Sequence, residues 1–216
     1  MIKILGNQNT LLDQFIGELR DIEIQKDRMR FRKNMERIGE IFAYEISKTL
    51  EFQKKNITTS LGIAEVPLLH EIPVLATILR AGLPLHYGLL NFFDNSENAF
   101  ISAYRKHHKD GNFDIRLEYV SSPQIEGKTL ILSDPMLATA SSMVLTYREL
   151  LRIGKPVHTH IVTIIASVEG VENITKNLAG QDVTLWVGAI DDELTAQSYI
   201  VPGLGDAGDL AFGSKL

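Results

Sequence analysis

The distribution of apolar residues gives the second two-thirds of the chain a regular rhythm. From Pro73 onward, short runs of consecutive apolar residues alternate with segments whose apolar positions recur at helical spacing. Such runs are typical of strands buried on both faces of a parallel sheet, so we predict an α/β fold with helices flanking the sheet. The predicted strands are 74–79, 98–104, 129–133, 158–166 and 183–190, and the predicted helices are 83–93, 142–152 and 169–178.

The first part of the chain has a different pattern. Helical spacing predicts an N-terminal helical arm over residues 10–54, whose second helix runs from Asp27 to about Phe52. The basic cluster 26–37 on that helix is interpreted as a solvated face or a subunit contact, with an anion site as the alternative. Residues 62–67 are expected to be extended and turn-like.

The length of 216 residues fits one domain. We divide it into the helical arm at 10–54, the core sheet at 73–190 and a C-terminal segment at 191–216. Residues 106–124 are polar and are expected to form a mobile excursion or a β-hairpin.

Composition narrows the function. The chain has no cysteine, which excludes disulfides, thiolate catalysis and cysteine-based zinc sites. A formal net charge of −5 argues against general nucleic-acid binding, so any phosphate recognition must be local. No apolar run approaches the roughly 18 residues of a membrane span. We therefore expect a cytoplasmic protein without nucleic-acid or membrane partners.

Residues 129–144 carry the clearest candidate chemistry. The predicted strand ends at Asp134, and small and hydroxylated residues then lead into a helix. In this geometry, backbone N–H groups and a helix N-terminus can surround and bind an anion. The carboxylate of Asp134 can accept hydrogen bonds from sugar hydroxyl groups. The alternative is an ordinary strand-to-helix turn with serine and threonine caps. The segment lacks both the P-loop and the dinucleotide-binding glycine patterns.

Charged residues follow several of the predicted strands. Ligands of open parallel sheets bind outside the carboxyl ends of the strands, where this chain places Arg80, Arg105, Asp134 and Asp191. Guanidinium groups match phosphate oxygens, and carboxylates match hydroxyl groups or a metal. Near the C-terminus, the glycine-rich segment 199–209 offers a backbone that a flat ligand can approach closely.

Three segments, 78–83, 134–142 and 199–209, resemble the type I phosphoribosyltransferase family and, within it, the uracil phosphoribosyltransferases. The resemblance covers essentially residues 10–216. It implies a parallel sheet flanked by helices, with a C-terminal hood, 191–216, that binds the base. It also implies transfer of the phosphoribosyl group of phosphoribosyl pyrophosphate (PRPP) to N1 of uracil, giving UMP and pyrophosphate. Magnesium is the implied cofactor; it is carried by PRPP, and no protein ligand is assigned to it.

The same resemblance implies roles for individual residues. The arginines would hold the pyrophosphate, Asp134 the ribose hydroxyls and residues 138–142 the 5-phosphate. The implied catalytic residues are Arg80, Arg105, Asp134 and Asp206. The implied PRPP-binding residues are Arg80, Arg105, Asp134, Pro135, Met136, Leu137, Ala138, Thr139, Ala140, Ser141, Ser142 and Asp206. The implied uracil-binding residues are Tyr199, Ile200, Gly205, Asp206 and Ala207.

One position departs from the family pattern. Uracil phosphoribosyltransferases usually carry Gly-Gly or Gly-Ser where this chain has Ala140 and Ser141. A turn that wraps a phosphate often needs a residue at positive φ, where alanine is strained by roughly 1 kcal/mol. We therefore expect a raised PRPP requirement, which the hydroxyl groups of Ser141 and Ser142 partly offset.

Two further questions stay open at the level of sequence. The alternative to an enzyme is a non-catalytic protein on the same fold that senses nucleotides or PRPP. The apolar faces of helices 27–52 and 83–93 predict a homodimer or a larger homo-oligomer. Regulation by a nucleotide such as GTP is compatible with the sequence.

Overall fold

The computed structural model describes residues 1–107 and 113–214, with the backbone alone at 103–107 and 113–117. Its helices are α1 Leu11–Arg20, α2 Arg28–Ser47, α3 Leu83–Phe92, α4 Ser141–Leu150, α5 Val168–Asn177 and α6 Ala207–Phe212. Its strands are β1 Ile2–Ile4, β2 Phe52–Thr58, β3 Ile63–Leu69, β4 Val74–Leu79, β5 Asn98–His107, β6 Phe113–Ser121, β7 Thr129–Ser133, β8 Met136–Leu137, β9 His158–Ser167, β10 Val183–Asp191, β11 Glu193–Leu194 and β12 Ile200–Val201. Among these described helices, none combines the length and the apolar character needed to cross a bilayer.

One sheet organises the fold. Its strands lie in the order β1-β10-β9-β7-β4-β5-β6, and the short β8 pairs with β9. Every pairing is parallel except that of β5 with β6, which is antiparallel. The predicted α/β class is therefore confirmed. The described part of 106–124 contains the end of β5 and the antiparallel strand β6, in agreement with the β-hairpin that was one of the two alternatives.

The central strands are buried on both faces, as the apolar runs predicted. Successive side chains of β7 point to opposite sides of the sheet. Ile131 packs in the core cluster formed with α1, α2 and α3, whereas Leu130 and Leu132 pack in the cluster formed with α4 and α5. The structure thus has two hydrophobic cores separated by one sheet.

The prediction of a helical arm over residues 10–54 was wrong in two respects. Both helices pack on the sheet through residues such as Leu12 and Phe42, so they belong to the core rather than to an arm. Helix α2 ends at Ser47, and β2 pairs with β3 in a separate two-stranded hairpin, which we call the arm hairpin, 52–69. Strand β2 is exposed along its whole length, so it carries no buried stripe that a periodicity analysis could detect.

The core sheet also extends beyond the predicted range of 73–190. Strand β1 adds an edge through parallel pairing of Ile2 with Leu185, and β10 continues to Asp191. Three residues are too few to display a period, which explains why β1 was missed. The segment 191–216, expected to form a C-terminal hood, contains the β11–β12 hairpin and α6 within its described residues.

Candidate active site at the carboxyl edge of the sheet

The carboxyl ends of β4 and β7 lie side by side. Thr77 pairs with Ser133, and its Oγ1 donates a hydrogen bond of 3.2 Å to the Ser133 carbonyl. The turn that begins at Arg80 folds closely onto these ends. The approach is so close that a Cβ on Gly82 would lie 2.1 Å from Thr77 Oγ1. Only glycine fits there. Arg80 and Asp134 therefore leave the sheet at the same edge, as the sequence predicted.

Arg80 links this edge to the C-terminal segment. Its Nη2 donates hydrogen bonds of 2.8 Å to Asp209 Oδ1 and to the carbonyl of Gly213. Asp206 caps α6, because its Oδ1 accepts a hydrogen bond of 2.9 Å from the Asp209 backbone N–H. The structure thereby brings Arg80 and Asp206 to one site, together with Asp209, which the sequence analysis did not single out.

The turn between β7 and α4 is held by its carbonyl groups. The Pro135 carbonyl accepts backbone N–H groups of β9, and the Ala138 carbonyl accepts Ser167 Oγ at 2.7 Å. Asn173 Nδ2 donates to the Thr139 carbonyl at 3.3 Å. Strand β9 and helix α5 therefore fix the shape of the turn from one side.

Ala140 adopts the conformation that the sequence analysis expected. Its φ is 62° and its ψ is 0°, in the left-handed region, and it stands at the N-cap of α4. The side chain is buried. Thr139 Oγ1 and the exposed hydroxyl of Ser141, the first residue of α4, lie 3.0 Å apart. The turn thus combines a left-handed residue, two hydroxyl groups and a helix N-terminus.

Several predicted site residues do not present their side chains to a ligand. Pro135 and Leu137 are buried beneath the turn, and Ile200 and Ala207 are buried beneath the C-terminal segment. The reason is that apolar side chains of these segments complete the two cores. These four residues can therefore contact a ligand only through their main-chain groups.

The remaining predicted residues are distributed as follows. Met136 and Ala138 are half-buried against a core, and Ser142 is also partly buried. Tyr199 and Gly205 are exposed. The Asp134 backbone N–H donates to the Val162 carbonyl at 3.0 Å. The backbone of Arg105 pairs with Ile115 on β6, and its side chain lies outside the described residues.

Asp191, the fourth charged residue predicted at this edge, has a structural role instead. Its carboxylate receives two hydrogen bonds of 2.7 Å from the Arg20 guanidinium and one of 2.8 Å from the Gly203 N–H. The residue is only 6% exposed. Burial alone would raise the pKa of Asp191, but the bonds from Arg20 and Gly203 outweigh it and hold the pKa below its ordinary value. The pair fastens α1 to the C-terminal segment, a contact between distant parts of the chain.

A cavity of about 650 Å³ lies at the opposite edge of the sheet. Its lining includes Thr129, His158 and Trp186, and the first two of these residues begin β7 and β9. Because all strands of the central group are parallel, this cavity is separated from the carboxyl edge by the length of the sheet.

Comparisons with known proteins agree on one family. Residues 6–214 match the family described as "Uracil phosphoribosyltransferase". The curated uracil phosphoribosyltransferase of Porphyromonas gingivalis (strain W83) is 56% identical over 212 residues, which are 98% of each chain. That of Pyrococcus furiosus is 36% identical over 206 residues, covering 94% of this chain and 86% of the relative.

Solved structures share the fold. The AQ2163 protein from Aquifex aeolicus superposes with a TM-score of 0.87 at 29% identity, covering 99% of this chain and 98% of that one. A hypoxanthine phosphoribosyltransferase from Staphylococcus aureus has a TM-score of 0.51 at 12% identity, covering 87% of this chain and 84% of that one. The second likeness bears on the fold alone.

The Arg20–Asp191 pair generates a prediction about acid stability. Because the pKa of Asp191 is lower in the folded chain than the unfolded value of about 3.9, its stabilisation is present above that value and is lost as the pH falls through the folded pKa. We expect Asp191→Asn to lower the free energy of unfolding by about 3 kcal/mol at pH 7, since it leaves Arg20 without its charge partner. The difference from the unmodified chain should shrink below about pH 5.

Urea unfolding between pH 7 and pH 3 measures this difference. The control is Asp192→Asn, which makes the same change at the exposed neighbouring position. A destabilisation by Asp191→Asn that stays constant over this pH range would contradict the prediction.

Proposed function

Since the chain belongs to the uracil phosphoribosyltransferase family, we propose how its own residues divide the work of that reaction. The chain transfers the phosphoribosyl group of PRPP to uracil and forms UMP, a reaction of pyrimidine salvage. No observation favours the alternative of a non-catalytic nucleotide sensor. The observation that carries the proposal is the meeting of Arg80, Asp134 and the 199–209 segment at the carboxyl edge of one sheet.

We assign the pyrophosphate of PRPP to Arg80 and Arg105. Arg80 follows β4, whereas Arg105 lies within β5, which continues to His107 and so extends past the predicted end at 104; Arg105 stands beyond the part of β5 that pairs with β4. Guanidinium groups donate hydrogen bonds in a planar fork that matches phosphate oxygens, and their charge stabilises a leaving group that becomes more negative. Arg80 is 34% exposed and so is accessible to such a ligand.

We assign the rest of PRPP to the turn after β7. Asp134 would accept hydrogen bonds from the ribose hydroxyls, and residues 138–142 would surround the 5-phosphate. The support for the phosphate site is the combination of the left-handed Ala140, the exposed Ser141 and the N-terminus of α4. Pro135, Met136 and Leu137 would contribute main-chain groups and packing.

We assign uracil to the C-terminal segment. Tyr199, Gly205 and Asp206 are accessible there, whereas Ile200 and Ala207 have buried side chains and would offer backbone groups. A flat ring with alternating donors and acceptors is suited to recognition by backbone N–H and C=O groups.

The chemistry needs positioning and charge more than a strong nucleophile. Departure of pyrophosphate leaves positive charge on the ribose ring, which a nearby carboxylate stabilises, while arginines stabilise the departing anion. Holding uracil N1 against C1 of the ribose converts an encounter of two molecules into a step within one complex. Asp134 and Asp206 are the carboxylates that we place beside the ribose.

We propose magnesium as the cofactor, bound with PRPP. Asp134 and Asp206 are the carboxylates that would be available to this ion, which commonly binds through substrate phosphates and one or two carboxylates. Within the described residues, no three acidic or histidine side chains form a group that could hold a metal by themselves. When bound, the ion would neutralise charge on the pyrophosphate.

We propose a homodimer or a larger homo-oligomer. Most apolar residues of α2 and α3 pack in the chain's own core, so the surplus apolar surface on these helices is smaller than predicted. Tyr44, Tyr87 and Phe92 remain more than half exposed on them. The arm hairpin adds Leu61, 99% exposed, and Ile63, 74% exposed. Burial of such residues by a second copy of the chain would remove apolar area from water.

A cytoplasmic location, the absence of nucleic-acid and membrane partners, and regulation by GTP stay predictions from the sequence. The division into one domain with a C-terminal base-binding hood is also kept as a proposal.

The pyrophosphate assignment predicts the effect of Arg105→Ala. The unmodified chain should form UMP from uracil only when PRPP is present. The variant should lose about 2–4 kcal/mol of transition-state stabilisation with PRPP, because charge-assisted hydrogen bonds to the leaving group disappear. Uracil binding to the free protein should change little. Steady-state kinetics and calorimetry measure both quantities, with the exposed Arg152→Ala as the control. Unchanged PRPP kinetics in Arg105→Ala would refute the assignment.

The conformation of Ala140 predicts the effect of Ala140→Gly. The positive φ of Ala140 strains the folded chain by roughly 1 kcal/mol. Glycine relieves that strain, which stabilises the folded chain, but it also raises the conformational entropy of the unfolded chain, which partly cancels the gain. We therefore expect the free energy of unfolding to rise by about 0.5 kcal/mol. The KM for PRPP should fall, whereas the KM for uracil should stay nearly unchanged.

Urea unfolding and PRPP kinetics of Ala140→Gly test this prediction. Ala179→Gly is the control, because Ala179 is exposed and has an ordinary negative φ. Equal destabilisation of both variants would show that Ala140 is unstrained.

The assembly proposal predicts a mass of at least two chains by light scattering at micromolar concentration. Ile63→Lys should increase the monomer fraction, because it places a charge where apolar surface is to be buried. Thr58→Lys is the matched control, since Thr58 is the exposed cross-strand partner of Ile63 in the arm hairpin. A single-chain mass for the unmodified protein would contradict the proposal.

A further inference from the structure

Asp209 contacts both proposed substrate sites through different groups. Its carboxylate Oδ1 accepts a hydrogen bond of 2.8 Å from Arg80 Nη2 on the pyrophosphate side. Its backbone N–H donates at 2.9 Å to Asp206 Oδ1 on the uracil side. The two contacts lie within the first turn of α6, so one short rigid element joins the two sites.

Within the described residues, hydrogen bonds hold the guanidinium of Arg80 at one nitrogen. Nη2 makes both hydrogen bonds, one to Asp209 and one to the Gly213 carbonyl. Arg80 Nε is buried, and the described residues offer it no partner. An end-on arrangement of this kind leaves the rest of the donor fork unpaired, in contrast to the two-nitrogen pair of Arg20 with Asp191. The orientation of Arg80 therefore depends on α6.

Helix α6 packs directly against Arg80. A Cβ on Gly208 would lie 3.2 Å from Asp206 Oδ1 and 3.8 Å from Arg80 Nε. The backbone of Gly208 is therefore close to both of these side chains. On another side, Arg32 of α2 donates a hydrogen bond of 2.7 Å to the Ala211 carbonyl. Arg80 and Arg32 thus contact α6 from two sides.

We propose that Asp209 is a positioning residue that makes the binding of pyrophosphate and the binding of uracil mutually favourable. The inference rests on the proposed function, in which Arg80 binds pyrophosphate and residues 205–207 bind uracil. An anion that fixes Arg80 also fixes its contact with Asp209, and through the Asp209 N–H it orders the loop that receives the base. Linkage requires uracil to favour pyrophosphate binding by the same factor.

The test measures this factor by calorimetry without turnover. Uracil is titrated in the absence and in the presence of saturating inorganic pyrophosphate with magnesium, two ligands that do not react with each other. In the unmodified chain we expect pyrophosphate to tighten uracil binding about fivefold or more, within the usual range of coupling between sites. In Asp209→Asn, which keeps the backbone N–H and the shape but removes the charge, the factor should fall to between one and two. Uracil affinity without pyrophosphate should stay within twofold.

Two controls separate this inference from the site assignments. Asp192→Asn makes the same chemical change at an exposed position and should retain the full factor. Arg80→Ala should weaken pyrophosphate binding at least tenfold; if it does not, the assignment of Arg80 is wrong. If both ligands bind and Arg80→Ala behaves as expected, then either full coupling in Asp209→Asn or no coupling in the unmodified chain overturns the role of Asp209 alone.

Discussion

Parallel pairing of β4 with β7 is the constraint on which the site depends. Because both strands run in the same direction, their carboxyl ends meet at one edge, and the turn from Arg80 and the turn from Asp134 begin there together. Burial of both faces of these strands between two cores fixes that edge firmly. The rigid sheet thus places the two turns side by side, a relative position that the sequences of the turns alone do not specify.

Three arginines fasten the C-terminal segment to this framework. Arg20 of α1 binds Asp191, Arg32 of α2 binds the Ala211 carbonyl, and Arg80 binds Asp209. Each contact is charge-assisted, and the Arg20–Asp191 contact is largely shielded from water, which makes it stronger than an exposed ion pair. A glycine-rich segment with few large side chains gains from these contacts the definite position that substrate recognition requires.

The phosphate turn illustrates how a local departure from a family pattern is accommodated. Ala140 holds a left-handed conformation that glycine adopts without strain, and the surrounding structure enforces it. Its side chain is buried, and donors from β9 and α5 hold the preceding carbonyls, so the turn has little freedom to relax. The strained conformation therefore lowers the stability of the folded chain.

The sequence by itself determined the central strands, the helices between them and the charged residues near the strand ends, and the departure from the family's glycine pattern pointed to a positive φ at Ala140. These features depend on runs of apolar residues, on helical periodicity and on the needs of one turn, all of which are local. Only the tertiary structure decided that Asp191 binds Arg20, that Arg80 binds Asp209 and that the arm hairpin replaces the end of a helix. Each of these contacts depends on which distant group lies opposite a given side chain or strand. An aspartate is the same letter in the sequence whether or not its carboxylate is paired in the folded chain. Local patterns specify elements, whereas the choice among distant partners is made by packing.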